Sequence, residues 1–221
     1  MRRLIDIFAR TIYNKKTDVV QRMLPKGCDI LPRKFMFTRE DVIDAALNLT
    51  KEKGFSALTA RGLGERLGSS SKPIFGLFKS MKEVQDEVIA AANRVYLKFL
   101  DNGMKSDKYP AYKASGMAYI KFAGEEKELF KLLFMRDRSD EKISENRKEV
   151  ERFIGLIKEK LNISDDDAYL FHIEMWIYVH GIATMIATQY LDLDEEFISR
   201  VITDAYNGLK LHYCSNKKLG R

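Results

Sequence analysis

The side chains best suited to binding chemistry lie between Thr59 and Lys82. Ser71 and Lys72 can donate hydrogen bonds to phosphate oxygens or to the acceptor edge of guanine, and Phe75 can touch thymine methyl groups. These residue types suit a surface that contacts nucleic acid and performs no covalent step. The alternative for Phe75 is that it packs inside the protein.

The spacing of apolar residues predicts a short helix that starts near Thr59. Leu63 and Leu67 fall on one face, and Gly64 between them lets a second helix cross closely. Gly68 supplies the left-handed residue that ends the helix. A tight turn must follow.

A second short helix is predicted after that turn. Ser70 is expected to cap it, and Pro73 falls in the first turn, where a missing N–H costs nothing. Ile74 and Phe78, four residues apart, direct its apolar face back onto the first helix. Two helices joined this way are the sequence form of a helix-turn-helix, whose second helix enters the DNA major groove.

An earlier helix completes the unit. Thr38 and Asp41 have the spacing of a capping pair, and Gly54 marks the end of the helix. The apolar residues between them recur at helical spacing: Val42, Ala45, Ala46 and Leu49. Three helices are the smallest set that buries one face of a helix-turn-helix.

This window, roughly residues 36–90, resembles the DNA-binding domain of the TetR family of transcriptional regulators. The matching segments are Lys53-Gly54-Phe55, Thr59-Ala60-Arg61-Gly62-Leu63, Leu67-Gly68-Ser69-Ser70, Pro73-Ile74-Phe75, Phe78-Lys79-Ser80 and Lys82-Glu83-Val84. The resemblance implies an all-α fold, a homodimer on a roughly palindromic site, and a body that binds a small molecule. Repression is the mode that the resemblance implies.

The sequence departs from the family pattern at three positions. The family usually has an aromatic or polar residue at Gly76, often a histidine at Leu77 and often a lysine at Met81. The second helix of the motif, which would enter the major groove, therefore offers few hydrogen-bonding side chains. The sequence does not determine which bases it contacts.

The C-terminal part resembles one subgroup of the family more weakly. That subgroup has a tryptophan, three further residues and then His-Gly on its penultimate helix. Trp176 and His180-Gly181 fit this signature.

The predicted architecture is all-α, with about nine helices in two domains. Residues 31–82 form the helix-turn-helix domain, with the motif at residues 59–78, and residues 83–221 form a larger bundle for effector binding and dimerisation. Residues 1–30 are an extension with two interpretations. It is either a basic arm that reaches DNA or a weakly ordered extension; a further alternative is that translation starts near Leu31.

Charge and composition agree with a DNA-binding head on a neutral body. Residues 1–82 contain 17 Lys and Arg against 8 Asp and Glu, whereas the remainder has 21 against 24. The two cysteines form no C-x-x-C motif, so we expect no zinc site and a reducing cytoplasm. We expect neither a secretory signal nor a membrane span.

The predicted DNA-binding residues lie on the second helix of the motif and on cationic or hydroxyl-bearing positions that flank it. They are Arg33, Lys34, Thr59, Ser70, Ser71, Lys72, Pro73, Phe75, Gly76, Leu77, Lys79 and Lys82. The lysines have the alternative of being ordinary solvated side chains.

The last two long helices are too apolar for one chain to cover, which predicts a four-helix interface with a second copy. The predicted dimerisation residues are Val179, Ile182, Ala183, Ile186, Ile198, Val201, Ile202 and Ala205. The alternative is a core inside one monomer.

A hydrophobic or cationic effector, most simply an apolar or aromatic compound, is expected near Trp176 and His180. The predicted lining is Met117, Tyr119, Phe130, Phe134, Met135, Met175, Trp176, Tyr178 and His180, each with plain core packing as the alternative. No catalytic set, metal ligand group or cofactor motif is found. The chain is therefore predicted to be a ligand-responsive DNA-binding regulator and not an enzyme. The alternatives are a helical enzyme or an adaptor without sequence-specific DNA binding.

Overall fold

Helices make up all the regular secondary structure of residues 36–139 and 147–216, the residues that the structure, a computed structural model, describes. They are α1 (Arg39–Lys53), α2 (Ala60–Arg66), α3 (Lys72–Leu77), α4 (Met81–Met104), α5 (Ala111–Glu125), α6 (Lys127–Phe134), α7 (Arg147–Leu161), α8 (Asp165–Ala187) and α9 (Glu195–Asn216), with a short 3-10 helix at Phe55–Ala57. The prediction of an all-α fold is confirmed.

We call residues 37–82 the head. Its first helix has the predicted capping box, in which the Asp41 N–H donates to Thr38 Oγ1 at 3.1 Å and the Thr38 N–H donates to Asp41 Oδ2 at 2.9 Å. Gly54 ends α1 with a φ of +80°, a backbone angle that glycine adopts without steric cost. The head core consists of Val42, Ala46, Leu49, Leu58, Leu63, Ile74 and Phe78, all buried.

The long helix α4 connects the head to residues 83–216, which we call the body. The poor helix propensity of glycine would favour a break at Gly103, but α4 continues through it to Met104. A Cβ there would lie 2.6 Å from the Cβ of Ala118 on α5. The close packing of α4 on α5 outweighs the poor helix propensity of glycine.

The centre of the body is formed by α5 and α8. Both contact α6, α7 and α9, and the residue contacts place them side by side in the same direction. Tyr112 meets His172 near one end, and Tyr119 meets His180 one to two turns further along.

The head also touches the body directly. Helix α1 packs against α6, and Lys51 Nζ lies 2.6 Å from Glu126 Oε1 in a partly buried ion pair. From Phe37 onward the chain packs as one unit. A domain boundary after residue 82 therefore stays a prediction.

By length and composition, α8 alone among the described helices is long and apolar enough to cross a membrane. This is weak evidence, since the core helix of a bundle passes the same test. Here α8 packs against α5, α7 and α9, which fits a bundle helix.

Candidate functional site

The turn between α2 and α3 depends on two glycines. Gly68 has a φ of +64°, as predicted for the residue that ends α2. A Cβ on Gly64 would lie 3.0 Å from the backbone oxygen of Ser69, so Gly64 makes room for the turn rather than for the second helix. The N–H of Ser69 donates to the Gly64 carbonyl at 2.9 Å and holds the turn there.

The predicted cap of the second helix is wrong. Helix α3 begins at Lys72, and Ser71 occupies the N-cap position without a side-chain hydrogen bond to the helix. Ser70 lies one residue further out and is exposed, with its carbonyl accepting from the hydroxyl of Ser69 at 2.8 Å. Pro73 in the first turn already removes one N–H that a cap would satisfy.

Helix α3 has one face in the core and one in solvent. Ile74 is fully buried, whereas Lys72, Phe75 and Gly76 are exposed, Phe75 by 49% of its surface. The inward-packing alternative for Phe75 is therefore excluded. Leu77 is partly buried and packs against the core, so it offers less outward surface than predicted.

The predicted cations of the head differ in their partners. Lys72 and Lys79 are exposed and have no ion pair within the described residues, whereas Lys82 Nζ lies 2.8 Å from Asp86 Oδ1. Arg61 was not predicted, yet 91% of its side chain is exposed in the first turn of α2. Because Arg61 lies two residues from Thr59, a predicted DNA-binding residue, its position in the sequence could have indicated the same role.

Thr59 caps α2, since its Oγ1 accepts from the Gly62 N–H at 3.0 Å. Thr59 is exposed, and its hydroxyl hydrogen takes no part in this hydrogen bond. Arg33 and Lys34 lie outside the described residues.

The body contains a cavity of about 590 Å³ bounded by α4, α5, α7, α8 and α9. Three predicted lining residues, Tyr119, Met175 and Trp176, do line it. The other lining residues include Tyr96, Leu100, Tyr112, Lys113, Gly116, Phe153, Ile157, Glu159, Lys160, His172, Val179, Ile202, Thr203 and Tyr206. The walls are mainly aromatic and aliphatic.

The remaining predicted effector residues lie elsewhere. Phe130 is fully buried and Phe134 partly buried, both packed on the outer side of Tyr119. Met117 is half-buried, and Met135 and Tyr178 are exposed. None of these five residues lines the cavity.

His180 also lies behind the cavity wall. The hydroxyl of Tyr119 is 2.8 Å from its Nδ1, and its ring stacks on Trp176 with centroids 5.1 Å apart. Burial lowers the pKa of His180 and raises that of Tyr119. In the neutral tautomer with the ring proton on Nε2, the His180 imidazole accepts a hydrogen bond from the Tyr119 phenol. His180 thereby contacts two residues that do line the cavity, Tyr119 and Trp176.

A second tyrosine–histidine pair was missed by sequence reasoning. The hydroxyl of Tyr112 is 3.1 Å from His172 Nδ1, and both residues line the cavity. Burial raises the pKa of Tyr112 and lowers that of His172. Sixty residues separate the partners, so no local pattern could reveal the contact.

Comparisons with known proteins agree with this geometry. Residues 112–205 match the family model described as a tetracyclin repressor-like C-terminal domain. This match covers the C-terminal part of the chain and supports a relationship to the TetR family. Its fold is similar to that in "The crystal structure of a TetR-like transcriptional regulator from Rhodococcus sp. RHA1", with a TM-score of 0.54, 15% identity, and coverage of 86% of this chain and 100% of that one. No curated protein matches the sequence.

The predicted dimerisation residues are largely internal. Val179, Ile182, Ala183, Ile198 and Ile202 are buried in the chain's own core, which favours for them the alternative of a core inside one monomer. A side chain covered by its own chain leaves no surface for a partner. Ile186, Val201 and Ala205 are partly buried and pack against the same core.

A different face of α8 and α9 is apolar and exposed. Leu170, Ile177 and Met185 repeat at helical spacing on α8, and Ile177 exposes 60% of its surface. Tyr169, Trp176, Tyr178, Phe197 and Leu211 add to the exposed apolar area. Gly181 on α8 faces open space.

Proposed function

We propose that this protein is a DNA-binding transcriptional regulator that acts as a dimer and responds to a small molecule. The observation that carries the proposal is α3, whose buried face fixes it on the head while Lys72, Phe75 and Gly76 face solvent. The match of residues 112–205 to a tetracyclin repressor-like C-terminal domain supports the same assignment.

The head suits insertion of α3 into a major groove. Helix α3 has six residues, about 9 Å in length, which fits within a groove about 12 Å wide. Lys72 at its start and Lys79 just beyond its end lie at the two edges, where DNA phosphates are found. Phe75 between them suits thymine methyl groups, while Thr59 and Arg61 suit phosphates beside α2.

Dimerisation supplies the second head. The exposed apolar face of α8 and α9 is the surface we propose for the partner, because burying it removes large apolar side chains from water. A two-fold axis then requires a roughly palindromic DNA site, with half-sites a helical turn or a multiple apart.

Ligand control requires a mechanical link between cavity and head. Helix α4 lines the cavity through Tyr96 and Leu100 and begins at Met81, inside the head. The Lys51–Glu126 ion pair ties α1 to the turn between α5 and α6. A ligand that binds one arrangement of the heads more tightly than another shifts DNA affinity by that difference. The proposed function places the protein in the cytoplasm and gives it no catalytic role.

Selection from a random duplex library with the purified protein tests the proposal. We expect enrichment of one sequence with approximate two-fold symmetry. A Phe75→Ala/Lys72→Ala variant should lose the enrichment while keeping its helical circular dichroism. Failure of the wild type to enrich any sequence would contradict the proposal and favour a helical adaptor.

A further inference from the structure

The cavity contains a positive charge without a carboxylate partner in the described part of the chain. The Nζ of Lys113 donates to Ser199 Oγ at 2.7 Å and to Thr203 Oγ1 at 2.8 Å, and it lies 4.7 Å from the ring centroid of Tyr109. An ammonium has three N–H donors, so one donor and the whole charge remain for another group.

The two hydroxyls fix the ammonium without neutralising it. Thr203 Oγ1 donates its own proton to the Ser199 carbonyl at 2.8 Å, which orients its lone pairs toward Lys113. Lys113 and Thr203 both line the cavity and are half-buried. A lysine that only linked α5 to α9 would not need a position on the cavity wall.

A second donor lies one residue away along α5. Tyr112 stays protonated because burial raises its pKa, and His172 stays uncharged because burial lowers its pKa. In the neutral tautomer with the ring proton on Nε2, the Tyr112 hydroxyl donates to His172 Nδ1. The described residues provide no hydrogen-bond acceptor for that N–H.

The rest of the cavity is apolar or electrically balanced. Tyr96, Leu100, Phe153, Ile157, Met175 and Trp176 provide aromatic and aliphatic wall. The other charged lining residues, Glu159 and Lys160, are exposed neighbours of opposite sign at the end of α7. The charged residues that line the cavity thus sum to one positive charge, which is contributed by Lys113.

We propose that the cavity binds a small amphipathic carboxylate. Its carboxylate contacts the Lys113 ammonium, and its aromatic or aliphatic part packs against the apolar wall. A charge-assisted hydrogen bond in a partly desolvated site is stronger than one between neutral groups. An ammonium compound would meet the like charge of Lys113. The proposal rests on the proposed function in treating this cavity as the effector site.

Three probes with the same phenyl-alkyl skeleton test which polar group the cavity prefers. They are 4-phenylbutyrate, 4-phenylbutanamide and 4-phenylbutylamine. Trp176 is the single tryptophan and lines the cavity, so its fluorescence reports binding without DNA. We expect the carboxylate to bind about tenfold or more tightly than the amide, and the amine to bind most weakly.

Substitutions separate the charge of Lys113 from its structural contacts. Lys113→Met should reduce carboxylate affinity to that of the amide while leaving amide affinity unchanged, and Lys113→Arg should keep the preference. Lys160→Met, which removes the rim charge, serves as the matched control and should also keep it.

Several results would overturn the proposal. They are equal binding of carboxylate and amide by the wild type, a preference for the amine, and no binding of any probe at millimolar concentration. An equal loss of carboxylate and amide affinity in Lys113→Met would show a purely structural lysine. Because this titration contains no DNA, its failure is distinct from failure of the DNA selection.

Discussion

The head and the body present their candidate sites in opposite ways. The head displays α3 on its outer surface and fixes it from behind, where Arg39 donates to the Leu77 carbonyl at 2.7 Å and pairs with Glu83 at 2.9 Å. The guanidinium of Arg39 also lies 4.1 Å from the centroid of the Phe78 ring. These contacts hold a convex surface whose shape depends on three short helices.

The body encloses its site between helices that are distant in sequence. Its rings contact one another across α4, α5 and α6, with Tyr119 lying 5.9 Å from Tyr96 and 5.5 Å from Phe130 between centroids. Filling or emptying such a cavity must shift several helices together. The head is therefore suited to presenting a fixed surface, and the body is suited to changing its helix positions when a ligand enters or leaves the cavity.

The largest effect should come from placing a charge under α3. Ile74→Asp would bury an unpaired carboxylate and cost about 3–5 kcal/mol of unfolding free energy, because Ile74 is fully buried. Phe75→Asp is the matched control on the exposed face and should change stability by about 0.5 kcal/mol or less. Urea unfolding followed by circular dichroism measures both. Equal stability of the two variants would contradict the assignment of inner and outer faces.

The dimer surface gives the next contrast. Ile177→Glu should leave the fold intact and convert a dimer to a monomer, since Ile177 is 60% exposed. Ile182→Glu, on the core side of the same helix, should instead destabilise the chain itself by several kcal/mol. Sedimentation and urea unfolding of both variants separate the outcomes. A dimer of Ile177→Glu at micromolar concentration would place the interface elsewhere.

These contrasts show which parts of the fold were predictable. Thr38, Gly54, Thr59 and Gly68 act through neighbours within a few residues, so their types and spacing were sufficient. Apolar periodicity on α8 could not show whether α5 or a second chain covers Ile182. The buried side was therefore predicted to be the dimer surface.

The cavity was predictable only in part for a related reason. Trp176 and Tyr119 were assigned from residue type, but the position of Lys113 depends on contacts 86 and 90 residues away. No local pattern encodes such a contact. Phe130 on α6 and His180 on α8 have the residue types of a lining, yet neither lines the cavity, and both rings contact Tyr119, which does.

A smaller effect should appear in the pH dependence of stability. Burial lowers the pKa of His172 and His180 from 6.5, so the unfolded chain binds protons more readily than the folded chain below that pH. Unfolding free energy should therefore fall as the pH drops from about 6.5 toward the lowered values. The carboxyl groups with lowered pKa values, such as Glu83, titrate below this window.

Urea unfolding at about pH 7.5 and about pH 5.5 checks this dependence. His172→Gln and His180→Gln should each reduce the loss of stability between the two conditions. His212→Gln is the matched control, because His212 is exposed. Retention of the full pH dependence in the double variant of His172 and His180 would show that other groups cause it.

The salt dependence of DNA binding tests the central claim most directly. Fluorescence anisotropy of a selected duplex should give an affinity that falls linearly with salt on logarithmic axes. Lys72→Ala and Lys79→Ala should each weaken binding and flatten that slope by about one unit, because each removes one phosphate contact. Lys98→Ala, an exposed lysine about 24 Å beyond Lys82 along α4, should leave slope and affinity unchanged. Unchanged affinity and slope in both head variants would contradict the docking of α3 on DNA.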